Sequence, residues 1–82
     1  MKFGDKVIIR SNEPGELIIG YYIEDWEHKR SGRKMPVVQD IKTGTSYLCF
    51  GIVAEYSDEL LKTLKTMNEK EQWEYLKEMQ NE

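Results

Sequence analysis

The chain has little with which to cross-link itself, hold a metal or attack a substrate. Cys49 is its only cysteine and His28 its only histidine. A single cysteine excludes an internal disulfide, and in an apolar run it reads as a small core hydrophobe of a reducing compartment. One His and one Cys cannot fill a zinc shell without carboxylates, and no ligand pair has helical or knuckle spacing. Glu24, Asp25 and Glu27 read as a solvated strand end before a divalent-cation site. A nucleophilic pair of Cys49 with His28 would need an accessible, electropositive thiol. Cys49 instead lies in the pattern of a buried strand and His28 in a polar segment. No catalytic residue, metal or cofactor is implied, and the expectation is a protein that is not an enzyme.

Long apolar runs are missing too. The opening MKFGDKVIIR has three successive aliphatic residues before Arg10, far short of a signal-peptide core or a membrane span. A cytoplasmic protein without a membrane partner is expected. Neither G-x-x-x-x-G-K-[ST] nor G-x-G-x-x-G occurs, and KTGTS at 42–46 lacks a following helix, so it reads as a hairpin turn and not a nucleotide loop. There is no internal repeat, low-complexity segment or linker. A cation excess is absent as well: 12 Lys and Arg face 15 Asp and Glu, for a net charge of −3. That balance does not favour generic capture of a polyanion.

Charge is distributed unevenly. Residues 1–56 carry eight cations and eight acids; residues 57–82 carry four Lys and seven acids, which is the whole of the −3. The same boundary separates two kinds of periodicity. With 82 residues, one domain over 1–82 is expected, a β part at 1–56 followed by a helical tail at 57–82.

The β part has five strand candidates. Lys6–Arg10 is a short β-branched run after Phe3-Gly4-Asp5, and Glu13–Glu16 suits a type II turn through Pro14 and Gly15. Glu16–Glu24 alternates Leu17, Ile19, Tyr21 and Ile23 against Ile18 and Tyr22, with Gly20 marking a bulge or bend. Asp25–Lys34 reads as a long, mobile polar loop. Met35–Ile41 resumes the strand pattern, with Pro36 at its start or on an edge. Lys42-Thr43-Gly44 makes a turn with Gly44 in the left-handed position. Thr45–Phe50 is its partner strand, and 51–56 a short final strand or a single helical turn.

In the tail, Ser57 is an N-cap ahead of Asp58 and Glu59. One continuous helix would align Leu60, Leu61, Leu64, Met67, Tyr75 and Met79 but leave Trp73 off the stripe. A break at Asn68, boxed with Glu71, gives Trp73, Leu76 and Met79 a face of their own; Thr66 with Glu69 is a competing frame. Two short helices fit better than one.

Phe3-Gly4-Asp5-Lys6-Val7 and the Gly-led Gly15–Gly20 phrase resemble the entrance and second strand of an SH3-like small barrel over residues 3–55. The resemblance implies an α+β fold, a five-stranded SH3-like barrel followed by one or two C-terminal helices. It also implies a binding module for protein tails or nucleic acids. The brevity, the acidic tail and the ending NEKEQWEYLKEM resemble small accessory proteins of bacteriophages acting on host machinery.

Three features are candidates for binding. HKRSGRK, at 28–34, gathers Lys29, Arg30, Arg33 and Lys34: forks for phosphate, forks for an acidic protein, or the solvated tip of a hairpin that resists edge pairing. Tyr22 and Trp26 would stack on bases or grip a peptide, or else plug the open ends of a barrel. Trp73, Leu76 and Met79 would pack over an open barrel edge, or form a partner face or the contact of a homo-oligomer. The leading expectation is a small interaction module with a protein partner. Nucleic-acid binding through the 28–34 loop is the alternative, and a small-ligand pocket at the barrel mouth comes third.

Overall fold

The computed structural model describes residues 1–11 and 15–80. Five strands, β1 (Lys6–Arg10), β2 (Ile18–Glu27), β3 (Lys34–Asp40), β4 (Ser46–Leu48) and β5 (Ile52–Glu55), precede two helices, α1 (Asp58–Lys65) and α2 (Glu69–Gln80). The strands form one antiparallel sheet in the order β4-β3-β2-β1-β5, so the fold is α+β with β4 and β5 at the edges. The expected closure into a barrel is corrected: the sheet is open. Its β5 edge is met by a helix and not a strand, because Gln80 Nε2 donates to the Val53 carbonyl at 2.9 Å. The turn expected at Glu13–Glu16 falls partly outside the described residues.

β1 shows why KVIIR does not alternate. Val7 and Ile9 join Tyr22, Val38, Cys49 and Val53 in a cluster on one face of the sheet, the inner cluster. Ile8, between them, points the other way into a cluster with Ile52, Leu60, Leu64 and Leu76 from the helices. A strand covered on both faces reads as a continuous apolar run. Gly20 is not the bulge: its pro-Cβ direction runs into the Gln39 carbonyl, so it permits close strand approach. The register instead shifts between Tyr22 and Glu24, leaving Ile23 unpaired. Pro36 is tolerated inside the interior strand β3 because its nitrogen faces the frayed end of β4, where Cys49 N–H still donates to its carbonyl at 2.9 Å.

The helix starts are local chemistry. Ser57 Oγ accepts from Leu60 N–H at 3.0 Å. Asn68 and Glu71 make a reciprocal box, Glu71 N–H to Asn68 Oδ1 at 2.9 Å and Asn68 N–H to Glu71 Oε1 at 3.2 Å. The two-helix reading therefore holds. Thr66 is the C-cap of α1, not the start of α2. Among the described residues no helix is long and apolar enough to cross a membrane.

The inner face of α2 carries a residue that periodicity alone did not reveal. Gln72 is buried beside Leu76. Its amide donates to the Leu64 and Met67 carbonyls at 2.8 and 3.2 Å, and its oxygen accepts from Arg10 Nη1 at 2.8 Å. Arg10 is itself buried, and its Nη2 donates to the Gly15 carbonyl at 2.6 Å. The network ties the end of β1 to the carbonyls at the end of α1, where the Leu64 carbonyl also accepts from Met67 N–H at 3.1 Å.

Candidate functional site

β2 outruns its neighbours. β1 pairs with it only from Ile18 to Tyr21, and β4 reaches β3 only from Val37 to Gln39. Beyond these, Asp25–Glu27 and Lys34–Pro36 form a two-stranded arm in which Trp26 lies opposite Met35 and Glu27 opposite Lys34. The long mobile loop expected at Asp25–Lys34 is thus corrected. Asp25, Trp26 and Glu27 are drawn into the ladder by pairing with β3, which local sequence does not encode.

What remains is a bonded turn. His28 N–H donates to the Arg33 carbonyl at 2.9 Å and Gly32 N–H to the His28 carbonyl at 2.8 Å, with Gly32 at φ 69°. Ser31 N–H lies 3.3 Å from His28 Nδ1, and Arg33 N–H donates to Ser31 Oγ at 3.2 Å. The amides of Ser31, Gly32 and Arg33 are therefore engaged within the turn and do not form a phosphate cradle. Lys29, Arg30, Arg33 and Lys34 are all exposed. Glu24, Asp25 and Glu27 stand on the same arm, so its charge is mixed.

Trp26 is 42% exposed and meets the His28 ring edge-on, with centroids 5.7 Å apart. Tyr22, the other aromatic candidate, is only 8% exposed, packed opposite Val38 in the inner cluster. Burial, together with the nearby Asp25 carboxylate, pushes its hydroxyl above the usual tyrosine range. That expectation is corrected: Tyr21 is the exposed member of the pair.

Register places Tyr21, Gln39, Val37, Leu48, Met35 and Trp26 on one face of the sheet, the face that carries Ile8 further along. The helices cover Ile8, Ile52 and Ala54, but the helix-side cluster takes no residue from β3 or β4. Met35, Val37 and Leu48 are left half-buried beside exposed Trp26 and Tyr21. Among the described residues nothing from the helices covers this strip of apolar side chains, and Glu24, opposite Val37, shares its face.

The tail candidates separate. Leu76 is wholly buried and Trp73 half-buried in the helix-side cluster, whereas Met79 is exposed. Two of the three therefore serve the protein's own core, because the open sheet needs that cover.

Cys49 is buried, and burial pushes its thiol up against a smaller opposing pull from a Gly51 backbone hydrogen bond. Its strand partner Pro36 lies opposite Asp25, and His28 is three residues further out, about 10 Å at the rise of a strand. The two are not brought together. Among the described residues no group of three His, Cys, Asp or Glu is placed to hold a metal. A groove of about 980 Å³ lies on the helix side and not in a barrel mouth, with Leu17, Ile19, Ile41, Leu61 and Met67 in its walls. Its charged residues are of both signs, among them Lys42, Lys65, Asp40 and Glu69, so it selects no ligand charge. No family model, curated protein or solved structure matches the chain.

Proposed function

We propose that the protein is a non-enzymatic interaction module that binds another protein through the β2–β3 arm and the uncovered strip behind it. The observation that carries this is Trp26: an exposed Trp at the end of an apolar strip that the chain's own helices leave bare. Trp is the residue most often found at the energetic centre of interfaces, and the four cations around the turn make a rim suited to carboxylates on the partner. The strand order, with β1 between β2 and β5, and the register shift at Ile23 support an SH3-like kinship. The resemblance of the ending to phage accessory proteins makes host machinery the first class of partner to test.

Nucleic-acid binding through Lys29, Arg30, Arg33 and Lys34 is the weaker reading. Glu24, Asp25 and Glu27 would meet the same phosphates, and the turn's amides are already engaged.

A photo-crosslinking residue placed at 21, exposed on the same face as Trp26, should trap one protein from the cell of origin, while the same residue at 62, exposed on α1, should not. Unlabelled wild type should compete, and Met35→Glu should not. Equal trapping at both positions counts against the arm. Oligonucleotide binding at low salt that vanishes in Arg30→Ala/Arg33→Ala would replace the protein reading with the nucleic-acid one.

A further inference from the structure

The two edges of the sheet are treated differently. The phase of the β3–β4 ladder follows from two bonds, Asp40 N–H to the Thr45 carbonyl and Cys49 N–H to the Pro36 carbonyl, both 2.9 Å. Thr45, Tyr47 and Cys49 therefore turn their backbone groups toward β3, and the alternate strand residues Ser46 and Leu48 turn theirs away. Among the described residues nothing bonds those outward groups.

Elsewhere the chain guards its edges. The outward Val53 carbonyl of β5 is capped by Gln80. The arm carries Glu24, Asp25 and Glu27 on one side and Lys34 with Pro36 on the other. Charges and proline are the usual devices against edge pairing. β4 has neither: from Thr43 to Ala54, between Lys42 and Glu55, there is no charged residue in a chain that is 33% charged. Shortness, at three residues, is its only guard. Phe50, just past its end, is 67% exposed.

We propose that β4 is a self-pairing edge: two copies of the chain join antiparallel along Ser46–Leu48 about a two-fold axis at Tyr47. In that register Ser46 of each copy lies opposite Leu48 of the other. The outward groups of both residues then pair, giving about four backbone hydrogen bonds. An identical uncharged strand meets this edge without like-charge repulsion, whereas a charged strand would find no countercharge. The pairing also continues the apolar strip, since Leu48 shares its face with Val37, and it sets two Trp26-bearing arms on one assembly. So short an interface makes a weak dimer, with Kd on the order of 100 μM. The proposal rests on β4 alone and stands whether or not the arm binds a partner.

Sedimentation velocity between about 10 μM and 1 mM should show the wild type passing from monomer to dimer. Ser46→Pro should remain monomeric with an unchanged thermal midpoint, because the nitrogen of Ser46 points away from β3 and its loss breaks no internal bond. Hydrogen exchange supplies a readout that needs no variant: the Ser46 and Leu48 amides should slow several-fold at the higher concentration. A monomer at every concentration, a dimer that survives Ser46→Pro, or exchange at those amides that ignores concentration would each overturn the proposal.

Discussion

β1 and the β2–β3 arm are built from the same antiparallel pairing, yet they are opposites in what lies on their faces. β1 has Val7 and Ile9 against the inner cluster and Ile8 and Arg10 against the helices, all buried. From Glu24 to Glu27 the arm has no buried residue on β2 at all. A domain this small cannot cover both halves of its sheet, since its buried fraction is limited by size. It concentrates cover where β1, β5, α1 and α2 meet and leaves β2, β3 and β4 bare on the helix side. Stability and display are thereby separated in space, and local opening should be easiest at the arm.

Substitutions in the two halves should therefore differ in kind. Leu76→Ala should cost about 2–5 kcal/mol in urea denaturation, since the side chain is fully buried among Ile8, Leu60 and Leu64. A loss below about 1 kcal/mol would mean that α2 does not belong to the covered half's core. Gln72→Leu should cost about 2–3 kcal/mol, because it removes a buried hydrogen bond from the Leu64 carbonyl and one from the Arg10 guanidinium. If it is neutral, apolar packing and not the network joins β1 to α2.

Alkaline pH should act on the inner cluster next. Tyr22 and Cys49 are held above their ordinary values of 10.0 and 9.0, chiefly by burial. The folded state thus keeps protons that the unfolded state gives up. Their contribution is whole below about pH 9 and is lost as pH rises through those ordinary values toward the raised ones. Tyr22→Phe should flatten the fall of stability above pH 10; an unchanged slope would remove Tyr22 as its source. Asn68→Ala should cost about 1 kcal/mol and speed exchange in the first turn of α2 without touching the arm. Smallest of all, Trp26→Ala should move stability by no more than about 0.5 kcal/mol while abolishing crosslinking from the residue placed at 21. A large destabilisation there would mean that the arm belongs to the folding core after all.

Much of the fold was legible along the chain. β1 emerged with its bounds intact, as did Ser57 as a cap, Gly44 in the left-handed position of its turn, and the break between the helices at Asn68. The candidate site was less so. Lys29, Arg30, Arg33 and Lys34 are displayed together at a tip, but the tip is a bonded turn and not a mobile loop. Tyr22, expected as an aromatic contact, is buried, and Tyr21 beside it is exposed. Gln72 carried no apolar signal, although a polar residue one helical turn before Leu76 was the available clue.

Sequence alone sets what is decided within about four residues: caps, turns and the start of each helix. A Ser or Asn side chain reaches its capped amide without any help from the rest of the chain. Tertiary structure decides the rest. β2 runs on to Glu27 because β3 pairs with it, and Leu76 is core and not surface because the sheet stays open beneath α2. β4 stands at an edge because, among the described residues, no strand pairs with its outer side. Each of these depends on partners tens of residues away, and hydrophobic burial, which has no direction of its own, selects them only when the whole chain is assembled.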